Sequence, residues 1–98
     1  MNILVIDDHP LYRSGVAMHL QAADPELQVT ECASLDAALA MIDEGRTVDL
    51  MLLDLKMPGY QGLESLERVR RTRPEIPVLV LSQEEQPETV RRCIELGA

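Results

Sequence analysis

The hydrophobic pattern of the chain divides it into short apolar runs separated by amphipathic stretches. Ile3-Leu4-Val5-Ile6, Leu50-Met51-Leu52-Leu53 and Val78-Leu79-Val80-Leu81 are apolar at every position and of strand length. A strand that is apolar throughout, rather than at alternate positions, is covered on both faces, as parallel strands beneath helices are. Residues 27–32 (Leu-Gln-Val-Thr-Glu-Cys) mix polar with apolar and predict an edge strand. Between the runs the period becomes helical. Pro10 suits a first helical position, and Tyr12, Val16, Leu20 and Ala23 recur behind it. Ser34 predicts an N-cap for a helix carrying Leu35, Ala38, Leu39 and Ile42 on one face, closed by Gly45. Leu63, Leu66 and Val69 mark a third helix, and Pro87 opens a fourth with Val90, Cys93, Ile94 and Gly97 inward. The order βαβαβαβα predicts an α/β fold with a doubly wound parallel sheet.

Composition narrows the chemistry. Ninety-eight residues allow one domain, with neither an internal repeat nor an interdomain linker. Aromatics are 2%, both tyrosines, so the core is aliphatic, and the stacking surfaces of a flavin or base-binding site are missing. The net charge of −8, from 17 acids against 9 bases, repels a phosphate backbone and excludes direct nucleic-acid contact. Cys32 and Cys93 have no metal-ligand spacing and read as small buried hydrophobes in a reducing compartment. The first apolar run is too short for a signal segment, and none reaches membrane-spanning length. The expectation is a soluble cytoplasmic protein with no membrane partner.

Three of the apolar strands end in an oxygen-bearing side chain: the first in Asp7-Asp8, the third in Asp54, the fourth in Ser82. Open α/β sheets bind ligands beyond the carboxyl ends of their strands, near the switch in strand order. Topology therefore predicts three carboxylates and a hydroxyl at one edge. Ionised carboxylates about 4 Å apart repel by roughly 4 kcal/mol at an effective dielectric of 20. A hard divalent cation offsets this, and Mg2+ takes one or two carboxylates together with waters and phosphate oxygens. A metal so placed prepares a phosphoryl-transfer site, and a carboxylate can itself accept the phosphoryl group. Plainer roles compete for individual residues. Asp8 could cap the helix that opens at Pro10, and Ser82 could be a turn residue. His9 and His19 read as surface or helix-flank residues, and Met18, Met41 and Met51 as core filler. Arg68, Arg70, Arg71 and Arg73 read as a solvated basic face near a helix C-terminus.

The stretches Ile-Leu-Val-Ile-Asp-Asp-His-Pro (3–10), Leu-Leu-Asp-Leu-Lys-Met-Pro-Gly (52–59) with Gly62-Leu63-Glu64, and Val-Leu-Val-Leu-Ser (78–82) resemble the receiver domain of two-component response regulators. Residues 7–15 look like the NarL/FixJ class, whose members usually carry a C-terminal helix-turn-helix DNA-binding domain. The resemblance implies a flavodoxin-like fold of strand order 2-1-3-4-5, here 2-1-3-4 with the fifth strand and its helix missing. On it, residues 1–98 form a receiver domain incomplete at its C-terminus and without its output domain. It implies that Asp54 takes a phosphoryl group from a sensor histidine kinase. Asp8 would ligate Mg2+ directly, Asp7 through a water, and Asp54 and the backbone carbonyl of Lys56 would complete the metal site. Ser82 would hydrogen-bond the phosphoryl oxygen and act as the switch, and Pro58-Gly59 would shape the loop after the acceptor.

The chain departs from the pattern in two places. The family's phosphoryl-pairing lysine is absent, since the only lysine is Lys56, and Gln83 stands where many receivers have a small residue. The expected role is a signalling switch and not an enzyme, beyond catalysing its own phosphorylation and dephosphorylation. Two other functions compete. An interaction module that never takes phosphate is one. A phosphohydrolase of the haloacid-dehalogenase type is the other, but it needs a second acid two residues past the first, where Lys56 stands. With the last strand missing, Val78–Leu81 would be an open apolar edge, and two copies could cover it as a homodimer.

Overall fold

A computed structural model describes residues 1–54 and 64–81. The expected fourth helix, with Cys93, and the expected roles of Lys56, Pro58-Gly59, Ser82 and Gln83 lie outside these residues. The four strands are β1 (Asn2–Ile6), β2 (Gln28–Cys32), β3 (Leu50–Asp54) and β4 (Val78–Leu81); the helices are α1 (Pro10–Ala23), α2 (Leu35–Asp43) and α3 (Glu64–Thr72). All the strands are parallel and lie in the order β2-β1-β3-β4.

The two central strands are the apolar runs that predicted them. Because side chains alternate across a strand, each run divides between two layers. Ile3, Val5, Leu50 and Leu52 pack with Val16 and Leu20 of α1. Leu4, Ile6, Met51 and Leu53 pack on the other face with Leu35, Ala38, Leu39 and Ile42 of α2 and Val69 of α3. Helices therefore cover both faces, as a doubly wound sheet requires. β2, with its mixed pattern, is an edge strand as expected.

Local chemistry sets the helix ends. Pro10 is in the first turn of α1, preceded by an extended His9 at the N-cap. Ser34 caps α2, its Oγ accepting the Ala37 N–H at 3.1 Å. After α2 the chain turns at Gly45, whose φ of 98° lies in the left-handed region that favours glycine. α1 departs from expectation in two respects. Ala17, not Ala23, shares the core with Val16 and Leu20. Met18 is 70% exposed instead of filling the core. It lies two residues from both Val16 and Leu20, about 200° around the helix, and faces away from the sheet.

The arginines of α3 also differ from the expected solvated face. Arg68 reaches Asp36 at 2.6 Å and Arg73, one residue past the end of α3, reaches Asp43 at 2.5 Å, so these two of the four tie α3 and its C-terminal flank to α2. Arg70 and Arg71 remain exposed in the last turn, where cations favour the helix dipole.

Candidate functional site

The register that pairs Ile6 with Leu53 delivers Asp7 and Asp54 side by side at the carboxyl ends of β1 and β3. Their relative exposures are 0% and 1%. Asp8, one residue beyond, keeps 26% of its side chain exposed. Asp7, Asp8, His9 and Asp54 each offer one ligand atom, and these atoms all lie within 4.8 Å of one another. Three of the five predicted site residues are thus brought together; Lys56 and Ser82 lie outside the described residues.

Asp7 is held from several directions. Its N–H donates to the Cys32 carbonyl at 3.1 Å, which joins the end of β1 to β2. Its Oδ1 accepts the His9 N–H at 2.8 Å and lies 3.2 Å from His9 Nδ1. Its backbone carbonyl accepts from the Arg13 guanidinium at 2.8 Å. Its Oδ2, by contrast, is buried and accepts no hydrogen bond from the described residues. His9 Nδ1 also lies 2.8 Å from Asp8 Oδ1. His9 itself is the N-cap residue of α1, so Asp8 does not cap that helix.

These placements perturb protonation. Burial pushes the Asp7 carboxyl above its ordinary value, and the nearby Asp54 charge adds to this against the His9 hydrogen bonds. The hydrogen bond to Asp7, helped by the charges of Asp8 and Asp7, raises the His9 imidazole above 6.5. Buried acids that destabilise one another need an external positive charge. The donor set is mostly hard carboxylate oxygen, and the buried Asp7 Oδ2 has spare acceptor capacity, so the residues fit a hard divalent cation such as Mg2+.

Two residues of the site escaped the sequence reading. His9 is exposed at the flank of α1, as expected, but its ring also bridges two carboxylates, which was not foreseen; its position directly after an Asp pair at a strand end was the available signal. Arg13 falls within the 7–15 stretch, yet nothing in its spacing shows that it reaches back to a strand-end carbonyl. Cys32 behaves as expected: it is buried, and burial pushes its thiol pKa up. A cleft of about 440 Å³, lined in part by Asn2, Gln28 and Arg46, lies against the start of β1 and β2 and contains none of the clustered acids.

Parallel strands in this order, with buried acids at the carboxyl ends of the central pair, define a receiver-like α/β domain. Residues 3–98 match the model of the response regulator receiver domain, and the chain belongs to that family. Receiver domains are signalling domains, not classical enzymes. The chain is 41% identical over 96 residues to the glycerol metabolism activator of Pseudomonas putida, covering 98% of this chain and 43% of that protein. It is 38% identical over 96 residues to the nitrate/nitrite response regulator protein NarL of Escherichia coli K12, covering 98% and 44%. It thus spans less than half the length of these relatives. Among solved structures it resembles the receiver domain of the hybrid histidine kinase CckA, with TM-score 0.80, 26% identity and coverage of 98% and 97%. It also resembles the response regulator TrrA of Thermotoga maritima bound to Mg2+ and BeF, with TM-score 0.69, 29% identity and coverage of 81% and 66%. A complex of TrrA with the histidine kinase ThkA matches at TM-score 0.72 and 27% identity, with coverage of 87% and 71%. Among the described residues no helix is long and apolar enough to cross a membrane.

Proposed function

We propose that this chain is a phosphoacceptor switch in which Asp54 takes a phosphoryl group from a phosphohistidine of a sensor histidine kinase. The observation that carries this reading is the convergence of Asp7, Asp8 and Asp54 at one sheet edge, two of them buried and one with a buried oxygen awaiting a partner. In the transfer an Asp54 carboxylate oxygen forms the new P–O bond as the P–N bond to the kinase imidazole breaks. The phosphohistidine carries a proton on its other ring nitrogen, so the imidazole departs neutral and no further proton is needed.

Phosphoryl transfer depends mainly on positioning and charge neutralisation, so the flanking residues matter more than any further covalent chemistry. Bound Mg2+ would neutralise the acids and the incoming phosphoryl oxygens. Asp8 and Asp54 would ligate it directly, Asp7 would hold one of its waters, and the Lys56 carbonyl would complete the set. Ser82 would donate to a phosphoryl oxygen. TrrA, whose structure was solved both with Mg2+ and BeF and with a histidine kinase, supports the metal and the partner. The domain's own catalysis is limited to its phosphorylation and dephosphorylation. In a protein of the relatives' length, a C-terminal DNA-binding domain would carry the output, in the cytoplasm, and the receiver would touch no nucleic acid.

Acetyl phosphate with Mg2+ tests the acceptor, read by intact mass. One phosphoryl mass should be added to the wild type and to Asp24→Asn, and none to Asp54→Asn. An adduct that survives Asp54→Asn would show that another residue is the acceptor. A folded, Mg2+-binding wild type that takes no phosphoryl group would favour the phosphorylation-independent interaction module.

A further inference from the structure

We propose that Arg13 is a positioning residue for the acidic site, orienting the peptide that carries the Asp8 carboxylate into it. The inference rests on the reading of Asp7, Asp8 and Asp54 as a divalent-metal site. Arg13 is in the first turn of α1, and its side chain is only 17% exposed. One terminal nitrogen donates to the Asp7 carbonyl at 2.8 Å, while Nε donates to Glu31 Oε1 at 3.0 Å. The same Glu31 oxygen accepts from Ser14 Oγ at 3.0 Å. A single guanidinium therefore spans from the end of β1 to β2.

The Asp7 carbonyl belongs to the Asp7–Asp8 peptide plane, and that plane sets the direction in which Asp8 leaves the backbone. Its neighbour on the N-terminal side is already anchored, because the Asp7 N–H is bonded to Cys32. Arg13 anchors the other half. Arginine suits the task because its planar fork presents several donors at fixed angles, and it stays charged beside the acids. Lysine keeps the charge but offers no such fork. Partners one bond removed from metal ligands commonly change metal affinity about tenfold or more when lost.

Mn2+ binding to the full chain, followed by the electron paramagnetic resonance signal of the free ion, separates this role from a structural one. Measurements belong well below the melting temperature of every variant, with circular dichroism confirming the fold. Arg13→Met should weaken Mn2+ binding about tenfold and shift the Asp8 amide resonance. Arg13→Lys should recover part of the loss, and it provides the comparison if Arg13→Met fails to fold. Glu31→Gln removes the ion pair but leaves the carbonyl bond, so it should weaken binding far less. Unchanged Mn2+ affinity in a less stable Arg13→Met would overturn the proposal, as would equal losses in Arg13→Met and Glu31→Gln. Asp8→Ala is the control for the underlying reading: full Mn2+ affinity in that variant would refute the metal site itself, whatever Arg13 does.

Discussion

The middles of β1 and β3 and their carboxyl ends are buried to the same degree and obey opposite energetics. Ile3–Ile6 and Leu50–Leu53 are almost completely removed from water, which stabilises the fold by roughly 1.5–3 kcal/mol per large side chain. One step further along, Asp7 and Asp54 are as deeply buried, yet they carry carboxyl groups whose ionised forms lose hydration and repel each other. Burial therefore stabilises along four residues and destabilises at the fifth. The lesson is that the aliphatic middle lets the sheet tolerate a charged edge, and in the proposed function that edge is where a cation or phosphoryl group would gain its binding energy.

The comparison is tested most strongly by substitutions of similar size on either side of the boundary. Leu52→Ala opens a cavity at a fully buried position and should cost about 2–5 kcal/mol of unfolding free energy in urea titration. A loss well under 1 kcal/mol there would mean that the middle of the sheet is not the source of stability.

A smaller effect of opposite sign is expected at the polar end. Asp7→Asn keeps an oxygen for the His9 N–H and removes the buried charge. Because folding raises the Asp7 pKa above 3.8, the folded state holds that proton more tightly than the unfolded chain. The resulting stability is present below about 3.8 and lost as pH rises through the folded value. Without metal, Asp7→Asn should therefore melt higher than wild type at neutral pH, and the gap should close in acid. Saturating Mg2+ should raise the wild-type melting temperature more than that of the variant. A metal-free Asp7→Asn that melts lower than wild type at neutral pH would contradict this account.

The smallest effect belongs to the cross-helix ion pairs. Asp36 is mostly exposed, so Arg68→Ala should cost about 0.2–1 kcal/mol, less in high salt. A loss comparable to that of Leu52→Ala would move the main stabilisation from the aliphatic layers to the α2–α3 seam.

The residues also divide by how much of their role could be read in advance. The strand runs, the Ser34 cap, the Gly45 turn and the convergence of Asp7, Asp8 and Asp54 follow from rules acting within a few residues, plus the topology of parallel strands. Met18 was misread because apolar character alone does not say which side of a helix meets the sheet. Arg68 and Arg73 were misread because their partners, Asp36 and Asp43, are about thirty residues away and meet them only after α2 and α3 pack on the same face.

By itself the sequence determined an aliphatic, doubly wound α/β domain with acids at the ends of its central strands, because periodicity and strand-end chemistry are local properties; the receiver family came from the resemblance of its motifs. Tertiary structure alone decided how those acids are held. The β1–β3 register buries Asp7 beside Asp54, the start of α1 turns His9 between two carboxylates, and Arg13 reaches back to the Asp7 carbonyl. Each of these contacts depends on the relative placement of whole elements, which side-chain directions and helix docking set in three dimensions and no spacing along the chain encodes.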